Sequence, residues 1–278
     1  MNRLLCADFA KLRKNKFFWL CIGGMVIFGI FMKAMEYIAM RPYGETPGLN
    51  SMLLTYSMVI GFLSAAFVSL FVGTEYSDGT IRNKLIIGHS RAAIYLSSLI
   101  TSCAADLLIC LAYLIPAILV GIPLCGLDSA DFPSLLCMVL YSFVMTLAFT
   151  SLCTLVAMTC QNKALTAVIT ILGVCLLFVV SVYISAKLHE PETYTEITAL
   201  ADDGTITTAE ETPNPGYVRG PQRKIYEFLD EFLPTGQSVI LTRQDGTAAT
   251  PFLPAYSAGI TAAAAGIGIF MFRKKDIK

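Results

Sequence analysis

Six stretches of this chain are apolar for long enough to cross a bilayer, roughly residues 17–39, 52–74, 92–122, 133–159, 164–187 and 254–272. A helix needs about 20 residues for that crossing. The third stretch is longer than required and contains Pro116, which predicts a tilted or kinked helix. The sixth is rich in Ala and Gly. Its small residues, such as Ala264 and Gly268 at four-residue spacing, predict a helix that packs closely against neighbours. Residues 1–16 place Leu4, Leu5, Phe9 and Leu12 on one helical face, with Lys11, Arg13 and Lys14 largely opposite. This reads either as an interfacial amphipathic helix anchored on anionic lipid or as a basic flank that sets topology. The apolar run that follows has no small-residue cleavage site after it, so it reads as a retained span rather than a leader. The pattern predicts an all-α polytopic membrane protein.

Between the fifth and sixth spans, residues 188–250 form the one sizeable water-exposed piece that the pattern predicts. Thr193 to Thr208 alternates polar and apolar residues around Asp203-Gly204, predicting a β-hairpin with a tight turn. Ser238 to Ala248, turning at Asp245-Gly246, predicts a second. Between them, Ile225, Phe228, Leu229 and Phe232 are spaced as one face of a short helix, which Pro234 and Gly236 end. Together these make a small extracytoplasmic cap.

Composition supports lipid as the solvent. The chain is 55% hydrophobic and 14% charged, against about 25% charged for soluble domains. The 20 basic and 20 acidic residues cancel, so only their distribution is informative. The N-terminal segment, the 75–91 and 160–163 loops and the C-terminal segment carry thirteen of the 20 basic residues. The positive-inside rule therefore puts both termini in the cytoplasm.

Little in the chain suggests catalysis. There is no G-x-x-x-x-G-K-[ST] phosphate loop, no H-E-x-x-H and no G-x-S-x-G. The nine cysteines form no C-x-x-C pair, and the two histidines are far apart. No metal site, bound cofactor or nucleic-acid partner is expected. One acid, Asp106, falls near the middle of the third span. Ser98, Ser102 and Asp106 share a polar stripe there. Such a residue marks a functional site by default, so the stripe reads as a translocation path or as a hydrogen-bonded knot between helices. Lys33 and Glu36, one turn apart near the outer surface, read as a structural pair able to snorkel.

The loop from Gly73 to Arg91 is the most informative segment. Ser77 or Asp78 is placed to cap a helix start and Gly88 to end it, giving a short helix over residues 78–88. Ile81 and Leu85 share one face, with Arg82 and Lys84 nearby. A capped helix hung between two spans is either a knob for a soluble partner or a connector on the membrane surface.

This loop resembles the first coupling-helix region of ABC-2 permeases, six-span subunits of ABC exporters. The resemblance rests on Glu75 ending the second span, the Gly79-Thr80-Ile81-Arg82 run, and Ser90-Arg91 opening the third. Leu233-Pro-Thr-Gly-Gln237 and Phe272-Arg-Lys-Lys-Asp276 are similar to family members as well, though less specific. The resemblance implies a bacterial plasma-membrane permease that pairs with a second copy or a paralogue. It also implies two copies of a separate ATPase subunit, which would hold the ATP and magnesium this chain has no motif for. Coupling would fall to Glu75, Asp78, Gly79, Thr80, Ile81, Arg82, Lys84, Leu85, Ser90 and Arg91, and the cargo would be an amphipathic antimicrobial peptide or similar compound. The rival readings are an ion-coupled transporter using Asp106 and a membrane sensor with a ligand-binding outer loop.

Overall fold

The computed structural model describes residues 1–43, 48–49, 51–125, 132–200, 206–243 and 251–274. The elements run α1 (Asn2–Lys14), α2 (Lys16–Met40), α3 (Tyr56–Ser77), α4 (Thr80–Ile86), α5 (Arg91–Cys125), α6 (Phe132–Cys160), α7 (Lys163–Leu188), β1 (Thr193–Leu200), β2 (Ile206–Pro213), α8 (Pro221–Phe232), α9 (Pro234–Thr242) and α10 (Leu253–Lys274). Six of the helices are long and apolar enough to span a membrane: α2, α3, α5, α6, α7 and α10. The protein is thus an all-α polytopic bundle with one small two-stranded sheet.

Short polar residues set the helix starts. Asn15 separates α1 from α2, its side chain accepting from Phe17 N at 2.8 Å and Phe18 N at 3.2 Å. Asn162 does the same for α7 through Ala164 N and Leu165 N. Each satisfies amide donors that a helix start leaves unpaired. The second span begins at Tyr56, four residues later than the apolar pattern suggested. Met52 adopts a positive φ of 53°, and its carbonyl is held by the Tyr113 hydroxyl at 3.1 Å. The preceding carbonyls of Leu49 and Ser51 are held by Lys33.

α3 is the centre of the bundle. Of its most apolar window 61% is buried, against 22% for α7 and α10. It packs on α6 and α7, while α2 packs on α5, and α10 on α6 and α5. Close approach is paid for with small residues: Gly29 of α2 lies against the Tyr113 carbonyl of α5, where a Cβ would sit 2.6 Å from the oxygen. Gly268 of α10 lies against the Tyr95 ring of α5, and Ala264 accepts the Tyr95 hydroxyl at 3.4 Å. The opposite face of α7, with Val168, Leu172, Leu176 and Val179, is exposed, as expected of a surface solvated by lipid.

The segment between α7 and α10 departs from the expected cap. One hairpin is present, β1 with β2, registered from Thr193 opposite Pro213 to Leu200 opposite Ile206 and irregular between Ile197 and Leu200. Its Asp203-Gly204 turn lies outside the described residues. The second expected hairpin is not formed by the described part of Ser238 to Ala248. Ser238 to Thr242 belongs to α9, and Asp245-Gly246 lies outside the described residues. α8 ends at Phe232, just ahead of Pro234 as expected, but Pro234 has a second role. It opens α9 at the first helical position, where its missing N–H costs nothing, and Leu233 is the extended joint between the two helices. α9 is deeply buried and packs on α3, α6 and α7. Hydroxyl contacts explain why it holds there: Ser57 of α3 donates to the Ser238 carbonyl at 3.0 Å, and Ser181 of α7 pairs with Thr235 at 2.7 Å. Gln237 bridges the Leu253 carbonyl and Ser257. The segment is therefore a wedge in the end of the bundle, with only part of it standing in water.

Candidate functional site

The end of the bundle that holds α1, α4 and the end of α10 carries most of the predicted site residues. α3 runs on through Glu75 to Ser77, and α4 begins after a left-handed Gly79 (φ 66°) with no side-chain cap. The expected capping by Ser77 or Asp78 is absent because the Ser77 hydroxyl turns back onto the Thr74 carbonyl at 3.1 Å. A residue with a Cβ is disfavoured at Gly79's backbone angles. α4 covers Thr80–Ile86, shorter than the 78–88 expected. Gly88, at φ 96°, closes it by donating to the Leu85 carbonyl at 3.0 Å, with His89 donating to the Lys84 carbonyl at 3.2 Å.

α4 has two unlike sides. Ile81 and Lys84 are buried and Leu85 is half-buried, whereas Arg82 and Asn83 are exposed. Ile86 and Ile87 are 73% and 75% exposed. Lys84 does not project into solvent. Its ammonium donates to Asp8 Oδ1 at 2.7 Å and to both oxygens of Glu75 at 3.1 and 3.2 Å. Lys11 adds a contact to Glu75 at 3.2 Å, and Ser97 donates to Asp8 Oδ2 at 2.6 Å. Asp8, Glu75 and Ser97 are essentially buried. Two acids and two lysines thus balance in one network that joins α1, α3, α4 and α5. A buried charge network of this kind is costly to break by removing one partner.

The remaining loop residues are distributed around this network. Asp78 is exposed, and Gly79 and Thr80 are half-buried. Ser90 caps α5, its hydroxyl accepting from Ala93 N at 3.3 Å. Arg91 donates to the Phe272 carbonyl at 3.3 Å and so ties α5 to α10.

α1 packs differently from its expected face. Its buried stripe is Leu4, Asp8 and Leu12, while Phe9 points outward and is 39% exposed. Asp8 stands four residues from each buried leucine, an acid on an otherwise apolar stripe. That position was the legible signal that it has a buried partner. The exposure of Ile86 and Ile87 has no signal of its own in the sequence.

The Asp106 stripe lies inside one chain. Asp106 is fully buried, and Ser64 of α3 and Thr150 of α6 both approach its Oδ2, Thr150 at 2.5 Å. Asp106 Oδ1 and the hydroxyls of Ser98, Ser102 and Thr154 are buried without a hydrogen-bond partner. Among the described residues no His, Cys, Asp or Glu group is placed to hold a metal.

At the opposite end, Arg243 joins the wedge to α7 and α8. It contacts Ser185, the His189 Nε2 at 3.1 Å and Asp230 Oδ2 at 3.4 Å. Burial pushes the Asp230 carboxyl above its ordinary range, more strongly than Arg243 and His189 pull it down.

The chain is thus a polytopic helical bundle with a buried charge network at one end and a polar seam around Asp106 at its centre. The ABC-2 family transporter protein model matches residues 4–186, from α1 through nearly all of α7. This is about two thirds of the chain, and the protein belongs to that family. Among curated proteins, no sequence matches it.

Proposed function

We propose that this protein is the permease subunit of an ATP-driven ABC exporter, with α4 as the helix that a separate ATPase subunit engages. The observation that carries this reading is the two-sided α4. Its inner side is fixed by Ile81 and the Lys84–Glu75–Asp8 network, and its outer side offers Arg82, Asn83, Ile86 and Ile87. Exposed isoleucines beside a cation form a docking surface, and the buried ions make that surface stiff enough to move the ends of α3 and α5 with it. Glu75, Ile81 and Lys84 then act as positioning residues, with Gly79 and Thr80 shaping the entry to the helix.

In this reading both termini face the cytoplasm of a bacterial plasma membrane, supported by the basic residues at that end. The permease works as a dimer with a second copy or paralogue, and two ATPase subunits hold the ATP and magnesium. Family membership and the apolar outer faces support this arrangement. The cargo is an amphipathic compound such as an antimicrobial peptide. Tagged protein purified in mild detergent should bring down a soluble chain with a phosphate-binding loop in about equal amount. Recovery of the protein alone, with no ATP dependence of transport in vesicles, would overturn the proposal.

One observation favours a second reading. Asp106 has a carboxylate oxygen without a partner at the centre of the bundle, as a gradient-driven carrier would need along a path through Ser98 and Ser102. Transport driven by a proton gradient without ATP, and lost in Asp106→Asn, would support that reading instead.

A further inference from the structure

α1 presents three distinct sides. Leu4, Asp8 and Leu12 face the bundle. Arg3, Arg13 and Lys14 are exposed, as is Lys16 just beyond the helix. At 100° per residue, exposed Phe9 lies beside Arg13 and roughly a third of a turn from Arg3 and Lys14, with all three cations to the same side of it. An apolar side chain between the bundle face and a row of cations suits a helix lying in the headgroup region of a bilayer. The next span continues the same surface. Trp19 is 55% exposed and Leu20 69%, and the Trp19 indole donates to the Arg13 carbonyl at 2.9 Å. Tryptophan is a residue of the membrane–water boundary, so it fixes the level at which the cations stand.

The bundle-facing side leads directly to α4. Asp8 is the only acid on α1, and both of its oxygens are engaged, one by Lys84 of α4 and the other by Ser97 of α5. A change in the depth or tilt of α1 is therefore carried to Lys84 by a short, buried, charge-assisted contact, which tolerates little change in geometry.

We propose that α1 reads the surface charge of its leaflet: anionic phospholipid headgroups bind its exposed cations, and the Asp8–Lys84 contact passes the resulting position to α4. Membrane charge thereby sets how firmly α4 is held. The consequence for transport rests on the coupling role proposed above, but the lipid response does not require an ATPase.

The test uses the full-length protein alone, reconstituted in phosphatidylcholine vesicles and in phosphatidylcholine–phosphatidylglycerol vesicles, with hydrogen–deuterium exchange followed in α1 and α4. Anionic lipid should slow exchange several-fold in both helices. Arg13→Gln with Lys14→Gln should lose most of both effects. Asp8→Asn, which is isosteric and leaves Lys84 its Glu75 partner, should keep the slowing in α1 and lose it in α4. Ser97→Ala, a milder release of Asp8, should weaken the α4 response if Asp8→Asn does not fold. Exchange in α4 that ignores lipid charge in the native protein, or that still follows it in Asp8→Asn, would overturn the proposal. Because no ATPase is in the vesicles, either result stands whether or not one docks on α4.

Discussion

The Lys33 ammonium and the Glu36 carboxylate, one turn apart on α2, are 2.9 Å apart and both buried. Lys33 does not snorkel. It also donates to the carbonyls of Leu49 and Ser51, so one side chain gathers the connection between the first two spans. Removing one member of a buried pair costs about 3–5 kcal/mol. Lys33→Met should therefore lower the melting temperature sharply in detergent. Adding Glu36→Leu to it should recover part of the loss, because the stranded carboxylate is gone. Equal melting of the two variants would show that the pair is not coupled.

Asp106 links three spans through Ser64 and Thr150. Polar contacts between membrane helices contribute about 1–2 kcal/mol at most. Asp106→Leu should lose stability of this order, while Asp106→Asn, which keeps hydrogen-bonding capacity, should lose less. Thermal unfolding of the two variants, with Thr150→Val as the cycle partner, measures the coupling. Strict additivity of Asp106→Leu and Thr150→Val would rule the link out.

Gly29 and Gly23 lie on the same helix in opposite surroundings. A Cβ at Gly29 meets the α5 backbone, whereas one at Gly23 meets nothing within 4 Å. Gly29→Leu should cost about 1–3 kcal/mol or more by overpacking and reduce the yield of folded protein. Gly23→Leu should be recovered at native yield. Size-exclusion profiles of the two variants give the comparison.

On α4, Arg82→Glu and Ile87→Asp alter only the exposed side, so melting should stay close to native while co-purification of the proposed ATPase falls at least about tenfold, the equivalent of 1.4 kcal/mol. Lys84→Met should behave differently, because it strands Asp8 and Glu75 and lowers melting itself. ATPase recovery undiminished in Arg82→Glu and Ile87→Asp would argue against docking at this helix.

The wedge end of the bundle should respond to pH through Asp230. Burial holds its carboxyl above the ordinary carboxylate range, so the folded protein binds that proton more tightly than the unfolded chain does. The contribution is fully present below the unfolded value and is lost as pH rises through the raised folded one. Asp230→Asn should flatten the pH dependence of melting over that window. An unchanged slope would mean that the carboxyl is solvated.

Long apolar runs made the spans legible, because six stretches of this length have few other uses, and Gly88 marked the end of α4, whereas its start was expected at a Ser77 or Asp78 cap and falls instead at Gly79. The hidden parts share one cause, polar residues satisfied by partners far away in sequence. Asp8 meets Lys84 across 76 positions, and Ser57 meets Ser238 across 181. Local periodicity holds no record of such pairs. The hairpin expected from Ser238 fails for that reason: the Thr235 and Thr242 hydroxyls meet Ser181 and Ser57 on neighbouring spans.

The place of α10 has a consequence for synthesis. It lies in contact with α5 and α6, two helices completed by Cys160, long before α10 begins at Leu253, and Arg91 at the start of α5 holds the Phe272 carbonyl near its far end. Until α10 leaves the ribosome, the groove beside Tyr95 stands open to lipid or to insertion factors. Ala264 and Gly268 offer so little bulk that a late arrival can slide into that groove without prising apart helices already packed.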